Sequence, residues 1–179
     1  MKKILCLISI LIPYLAFTQD SIKSNGLFYK ASLGITFTVN ENYTITEEDD
    51  ESFLNPSAFL VNNTIGYQFD NRSLIGLNIE YNYHSRQDLH FMPLHLSFQY
   101  NLFDFDDELF IRGGYGTLLG IGKSFEKGTL YKLGTGVRIY DDNFKNSWLI
   151  GFDFSRKRFG YKQTEKLSSV SLFLEYMVF

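Results

Sequence analysis

The feature that most constrains this sequence is a strict two-residue alternation between apolar side chains and polar or small ones. In residues 27–40 the apolar positions are Leu27, Tyr29, Ala31, Leu33, Ile35, Phe37 and Val39. The positions between them include Lys30, Ser32, Gly34, Thr36, Thr38 and Asn40. Successive side chains of a β-strand point to opposite faces. The alternation therefore predicts one long strand with an apolar face and a polar face.

The same alternation recurs in seven more segments, which makes an all-β fold the natural prediction. These segments are residues 58–69, 74–85, 92–102, 108–120, 129–140, a segment that begins at Trp148, and 167–179. Short runs of turn formers at 70–73, 103–107 and 141–147 alternate with segments 41–57, 86–89, 121–128 and 156–166. Short turns at one end and mostly longer loops at the other are typical of an eight-stranded antiparallel up-and-down β-barrel.

The first 18 residues have a different character from the rest of the chain. Lys2 and Lys3 precede an apolar run over residues 4–17, and Ala16-Phe17-Thr18 ends it with a small-x-small pattern. This arrangement predicts a secretory signal peptide over residues 1–18 and a barrel domain over 19–179. The only cysteine, Cys6, lies inside the predicted signal, so the exported protein would contain no thiol.

Two kinds of barrel share this alternation, and the polar face distinguishes them. That face carries charges of both signs, at Lys30, Glu80, Arg112, Lys132, Arg138, Asp153 and Glu175. A secreted, soluble lipocalin-like barrel that binds a ligand would have to fill its narrow interior with the aromatic set instead.

Aromatic residues make up 17% of the chain. They fall near the two ends of the predicted strands, as in the two girdles of a membrane barrel: Tyr29, Tyr67, Phe69, Tyr100, Trp148 and Tyr176 at the turn end, and Phe37, Phe59, Tyr83 and Phe159 at the loop end. We therefore expect a transmembrane barrel with the charges facing the lumen.

Three features carry a resemblance to a known family. They are the export site Ala16-Phe17-Thr18-Gln19-Asp20, the segment MPLHLSFQYNLF over residues 92–103, and the aromatic C-terminus at Phe179. The sequence resembles the small outer-membrane β-barrel proteins of the Bacteroidota, of the OmpA-like or porin-family type. The resemblance implies a place in the outer membrane of a Gram-negative bacterium after signal-peptide export. It also implies contact with outer-membrane lipid and lipopolysaccharide and insertion by the barrel assembly machinery, with no cofactor.

The lumen charges suggest a function for such a barrel. Unpaired charge in a narrow lumen is costly, so we expect Glu80, Asp153 and Glu175 to pair with Arg112, Lys132 and Arg138. Paired in this way, the charges would plug the lumen. The sequence favours a structural or surface-interaction protein that is not an enzyme, with an unknown surface partner. The alternative is a narrow pore for small solutes, in which the same charges act as a gate.

Other candidate sites have weaker patterns. The acidic run Glu47, Glu48, Asp49, Asp50 and Glu51 lacks the spacing of a calcium loop, which favours a solvated loop over a metal site. His95 and Ser97, with Glu108 beyond the next turn, superficially resemble the arrangement of outer-membrane lipid A deacylases, so a lipid-modifying enzyme is a third alternative. His84 and His90 are expected on opposite faces. The sequence has no basic patch and no stripe of interleaved lysines and aromatic residues of the kind that binds a phosphate backbone, so we expect no nucleic-acid partner.

The last strand presents a problem of register. Counting from Val170, Tyr176 and Val178 face lipid, whereas Glu175 and Phe179 face the lumen. In the family's usual ending the final Phe faces outward. Either a bulge near Glu175 restores the phase, or Tyr176 serves as the outward anchor.

Overall fold

The computed structural model of the protein describes residues 25–39, 54–85, 88–102, 107–142 and 145–179. We number the strands as follows: β1 Gly26–Val39, β2 Leu54–Gln68, β3 Ser73–His84, β4 in two segments, Leu89–Phe91 and Pro93–Asn101, β5 Asp107–Leu118, β6 Gly128–Tyr140, β7 Ser147–Phe159 and β8 Glu165–Val178. A short 3₁₀ helix, Tyr161–Gln163, connects β7 to β8. Within these ranges, no helix has the length and apolar character needed to span a membrane.

The strands form one closed antiparallel sheet. Each strand pairs with its neighbours in the chain, and β1 pairs with both β2 and β8. The two segments of β4 both pair with β3, so they occupy one strand position. The fold is the predicted eight-stranded up-and-down barrel, without an unpaired sheet edge.

The two walls of the barrel have opposite chemistry. The outer wall exposes large apolar side chains, and Leu133 and Ile65 are among the most exposed, with 66% and 65% of the residue surface accessible. The inner wall buries polar and charged groups, and Arg138 is 0% exposed. An apolar exterior around a polar interior is the distribution of a transmembrane β-barrel, and the reverse of a soluble barrel.

Two strands, β2 and β7, extend furthest beyond their predicted limits. β2 begins at Leu54 within the segment that the sequence assigned to a loop, and Pro56 fits there because the pairing register with β1 shifts between Thr36 and Phe37. Proline is tolerated at such irregularities. β7 runs on to Phe159, so the predicted loop over 156–166 shrinks to the short connection after Phe159. The prediction that Phe159 belongs to an outer aromatic girdle is therefore wrong, because its side chain is buried inside the barrel.

The last strand keeps an unbroken register with both of its neighbours. Tyr176 consequently points outward, where its ring lies 4.6 Å from that of Trp148. Phe179 packs inside against Phe28, with the ring centroids 6.0 Å apart. Of the two predicted solutions, the structure adopts the one in which Tyr176 is the outward aromatic.

The turn between β2 and β3 is held by Asp70. Its carboxylate accepts hydrogen bonds from the backbone N–H groups of Arg72 at 2.8 Å and Ser73 at 2.6 Å. These bonds favour the ionised carboxylate and lower the pKa of Asp70 below its ordinary value. The turn end of the barrel is thus fixed by local chemistry that the short Asp70-Asn71-Arg72-Ser73 run supplies.

Candidate functional site

The middle of the lumen contains a bidentate ion pair on Arg112. Its Nε lies 2.8 Å from Asp153 Oδ1 and its Nη2 lies 2.6 Å from Asp153 Oδ2. Its Nη1 donates to Glu175 Oε1, and the guanidinium carbon lies 3.9 Å from the ring centroid of Phe173. The fork of a guanidinium matches a carboxylate well, so Arg112 is held between the carboxylates of Asp153 on β7 and Glu175 on β8.

Further ion pairs extend this contact into a chain. Lys132 Nζ lies 2.5 Å from Glu80 Oε2 and 3.3 Å from Asp153 Oδ2. Lys30 Nζ lies 3.2 Å from Glu175 Oε2. The order of contacts is Lys30, Glu175, Arg112, Asp153, Lys132, Glu80, with alternating sign throughout. We call these six residues the central charge layer; its three cations balance its three carboxylates.

The central charge layer ties together strands that are distant in the sequence. Its members come from β1, β3, β5, β6, β7 and β8. The remaining two strands add polar groups, since Gln99 on β4 accepts from Lys30 at 3.4 Å and Asn62 on β2 donates to Asn78 at 3.2 Å. Charges contributed by opposite sides of the wall therefore meet across the lumen.

Arg138 lies outside the central charge layer. From the sequence we expected it to pair with one of the central carboxylates, but its carboxylate is Glu108, 3.5 Å away and its direct cross-strand partner. Its Nε also donates to Ser147 at 2.9 Å. Arg138 is six positions along β6 from Lys132, or about 20 Å of strand, which explains the separation. Lys30 supplies the third cation of the central layer.

Two apolar clusters enclose the central charge layer. The cluster toward the turn end consists of Phe28, Leu74, Phe110, Leu149, Phe173 and Met177, with Phe179 packed against it. The cluster toward the loop end consists of Phe91, Leu118, Leu130, Phe159 and Leu167, with Leu89 packed against it. We call them the turn-end layer and the loop-end layer.

The space beside the central charge layer is small. A cavity next to Arg112 and Lys132, lined also by Asn78 and His95, has a volume of about 10 Å³. Such a volume holds about one water molecule. Charged and polar side chains therefore pack closely at this level of the lumen.

Sequence reasoning missed a buried cation in the loop-end half. Lys157 is 1% exposed, its Nζ lies 3.4 Å from His84 Nε2, and it sits 5.3 Å from the ring centroid of Phe91. The run Ser155-Arg156-Lys157-Arg158 has the polar composition of a loop, so the sequence predicted a loop from residue 156 where β7 continues. The alternation from Trp148 onward already placed residue 157 on the inner face, and that was the available signal.

The three residues that resembled a deacylase site do not form one cluster. His95 pairs across the sheet with Gly116, whereas Glu108 lies eight positions away along the same strand as Gly116. Glu108 accepts hydrogen bonds from Asn101 at 2.6 Å and Tyr140 at 2.8 Å. The hydroxyl of Ser97 accepts a hydrogen bond from Asn78 Nδ2 at 2.8 Å.

The remaining candidate residues are two histidines and the acidic run. His84 is buried on the inner face and His90 stacks on Tyr83 outside, with ring centroids 4.7 Å apart, so the two histidines do point to opposite faces. In the part of the chain that the structure describes, no group of three His, Cys, Asp or Glu side chains converges as metal ligands do. The acidic run Glu47–Glu51 and the predicted signal over 1–18 lie outside the described residues.

Comparison with known proteins gives a match at the level of structure. No protein-family model matches the sequence, and no curated protein sequence does so either. The fold is similar to the crystal structure of Neisserial surface protein A, with 14% identity and a TM-score of 0.63 over 85% of this chain and 96% of that one. The N-terminal β-barrel domain of Pseudomonas aeruginosa OprF aligns with 13% identity and a TM-score of 0.44 over 83% of this chain and 96% of that one. The first likeness supports the barrel fold.

Proposed function

We propose that this protein is a small OmpA-like barrel of the outer membrane of a Gram-negative bacterium, of the kind found in Bacteroidota. On this proposal the N-terminal signal directs export, and the barrel assembly machinery inserts the chain among outer-membrane lipid and lipopolysaccharide. Its role is structural or one of surface interaction, through a partner that binds the external end. It performs no catalysis and transports no solute.

The observation that carries the closed-lumen part of the proposal is the order of layers inside the barrel. An ion that crossed the lumen would have to leave water twice, once at each apolar layer, and would meet the neutralised chain of Lys30 through Glu80 between them. Apolar constrictions stop ions by excluding water. The packed arrangement supports a plug and opposes the alternative of a narrow solute pore.

Conductance in planar bilayers tests the proposal. We expect the wild-type barrel to give no channel steps in concentrated salt, because both apolar layers remain closed. Arg112→Ala should give none either, because it opens the central layer alone. The double variant Phe91→Ala with Phe159→Ala, which thins the loop-end layer, should also stay closed because the turn-end layer persists.

Regular channel steps from the wild-type protein would contradict the closed lumen and establish the pore. An outer-wall variant, Leu133→Ala, serves as the control for nonspecific bilayer leakage. Cell fractionation tests the location separately, since a membrane barrel shows heat-modifiable migration on gels and a soluble barrel would appear in the periplasm.

A further inference from the structure

The outer wall bears a group of cations where β7 and β8 approach the loop end. Arg156, Arg158 and Lys166 occupy outward positions, and Arg158 and Lys166 are direct cross-strand partners. Like charges directly opposite each other destabilise a sheet. Among the described residues, no salt bridge links Arg158 or Lys166 to a carboxylate, and the carboxylate of neighbouring Glu165 lies against Gly160. We call Arg156, Arg158 and Lys166 the rim cluster; a bound anion would offset the repulsion between Arg158 and Lys166.

The height of the rim cluster matches the level of lipid headgroups. The outward side chains of β7 read Trp148, Ile150, Phe152 and Phe154, and then change to Arg156 and Arg158. Eight residues separate Trp148 from Arg156, which is about 26 Å along the strand and about 20 Å in height for a tilt near 40°. The apolar band of a membrane barrel is about 25 Å tall. Measured from Trp148, the backbone of Arg156 therefore lies about 5 Å below the far edge of this band, a distance that a long arginine side chain spans to reach the headgroups.

A depression in the outer wall begins beside the rim cluster. It has a volume of about 680 Å³, and Arg156 lines its edge. At its centre is Gly113, an outward position without a side chain, flanked by Phe98 and Leu133 on the adjacent strands. A Cβ at Gly113 would lie 3.6 Å from Leu133 Cδ2, an ordinary contact. Inner packing therefore does not require the glycine, and its effect is to leave a space on the lipid-facing wall.

The rim cluster and the depression are close enough for one lipid molecule to occupy both. Arg156 pairs with Tyr131, and Leu133, two residues further down the same strand, pairs with Gly113. These steps amount to about 7 Å down the wall and about 10 Å across it. An acyl chain that descends from a headgroup at Arg156 passes over Gly113.

We propose that the rim cluster binds the phosphate groups of an anionic outer-leaflet lipid, one acyl chain of which lies in the depression over Gly113. Charge complementarity selects the occupant, because a second copy of this chain would bring its own rim cations to the same level. The proposal rests on the proposed outer-membrane location. It specifies where on the barrel the outer-leaflet lipid binds and through which groups.

Native mass spectrometry of the purified barrel in neutral detergent tests the proposal, with bisphosphorylated lipid A as the probe. We expect a one-to-one adduct, and the variant R156Q/R158Q/K166Q should bind at least about tenfold more weakly. The matched control R72Q/K123Q/K145Q removes the same charge elsewhere on the exposed surface and should bind as the wild type does.

A second pair of variants tests the acyl chain. Gly113→Leu fills the depression and should weaken the adduct about threefold or more, whereas Ala31→Leu adds the same side chain to the outer wall of β1 and should not change it. Heat-modifiable migration on gels confirms that each variant is folded. If the triple variant does not fold, the single variant Lys166→Gln replaces it in the binding measurement.

Three results would overturn the proposal. They are equal binding of the triple variant and the wild type, equal binding of dephosphorylated lipid A, and displacement of the lipid by an equal concentration of inorganic phosphate. The last result would assign the cluster to a free anion. Each of them, obtained on a folded barrel from the membrane fraction, would leave the proposed function intact, whereas recovery from the periplasm would refute the proposed function itself.

Discussion

Arg112 and Lys157 are both cations on the inner wall, and their surroundings differ sharply. Arg112 contacts the carboxylates of Asp153 and Glu175. Lys157 instead contacts the ring nitrogen Nε2 of His84 and the face of Phe91. Within the described strands, no salt bridge joins Lys157 to a carboxylate. Among the described residues, inward charges are thus paired in the central charge layer and, toward the turn end, between Arg138 and Glu108. The loop-end half instead carries a cation with no carboxylate at salt-bridge distance.

The difference follows from the residues that face each cation. Arg112 pairs across the sheet with Gly134 and Gln99, and a Cβ at Gly134 would overlap the carboxylate of Asp153. The inward glycine thus leaves the space in which the ion pair forms. Lys157 pairs with Leu130 and Leu167, which belong to the loop-end layer. Both cross-strand neighbours of Lys157 are thus apolar, and neither offers it a carboxylate.

The largest effect in this comparison should come from Arg112→Ala. The substitution leaves Asp153 and Glu175 buried with only the lysines as partners, and loss of one member of a buried pair costs about 3–5 kcal/mol. We expect the unfolding midpoint in urea, measured in lipid vesicles, to fall accordingly. Arg112→Lys, which keeps the charge without the fork, should lose less. A loss below about 1 kcal/mol for Arg112→Ala would contradict the central role assigned to it.

Glu80→Gln should have the next largest effect, about 2 kcal/mol. Lys132 loses its nearer carboxylate but keeps Asp153 at 3.3 Å, so the chain of contacts shortens without leaving an isolated cation. Urea unfolding in the same vesicles measures the loss. Asp142→Asn, in an exposed connection, is the matched control and should leave the free energy of unfolding unchanged. A cost equal to that of Arg112→Ala would mean that the end of the chain of contacts at Glu80 is as important as its middle at Arg112.

The contrast between these cations shows how far the sequence determines the barrel. Period-two alternation is imposed by the pleat itself, so it predicted the eight strands, their faces and the inward position of the charges. It also placed Tyr176 outward, because no bulge intervenes between Val170 and Val178. Strand ends were less predictable. A polar run such as Ser155 to Arg158 is compatible with a loop, and equally with the end of a strand that reaches the level of the lipid headgroups.

Pairing inside the lumen was the part that alternation could not determine. Which carboxylate meets which cation depends on stagger between strands, and stagger is set by register. Arg138 and Glu108 are cross-strand partners because of the β5–β6 register, and Lys30 reaches Glu175 because β8 closes on β1. Neither fact is encoded in the spacing of charges along one strand.

Lys157→Met should stabilise the barrel slightly, by about 1 kcal/mol, which is the opposite sign from the first two variants. Methionine fills a similar volume beside Phe91 without a buried positive charge. Equilibrium unfolding in vesicles measures the change, and Lys132→Met, which removes a fully paired lysine, is the control expected to destabilise. Destabilisation by Lys157→Met of the same size as by Lys132→Met would show that the loop-end cation is compensated after all.

The smallest effect should be the coupling between Glu80 and Lys157. A double-mutant cycle of Glu80→Gln with Lys157→Met measures this coupling, which we expect to stay below about 1 kcal/mol, because no salt bridge among the described residues joins the two groups and only longer-range attraction acts between them. The same cycle with Lys132→Met, whose Nζ lies 2.5 Å from Glu80, should give about 1–3 kcal/mol. Similar couplings in both cycles would mean that Glu80 neutralises both lysines through the low dielectric of the lumen. The boundary between a neutral central layer and a charged loop-end layer would then disappear.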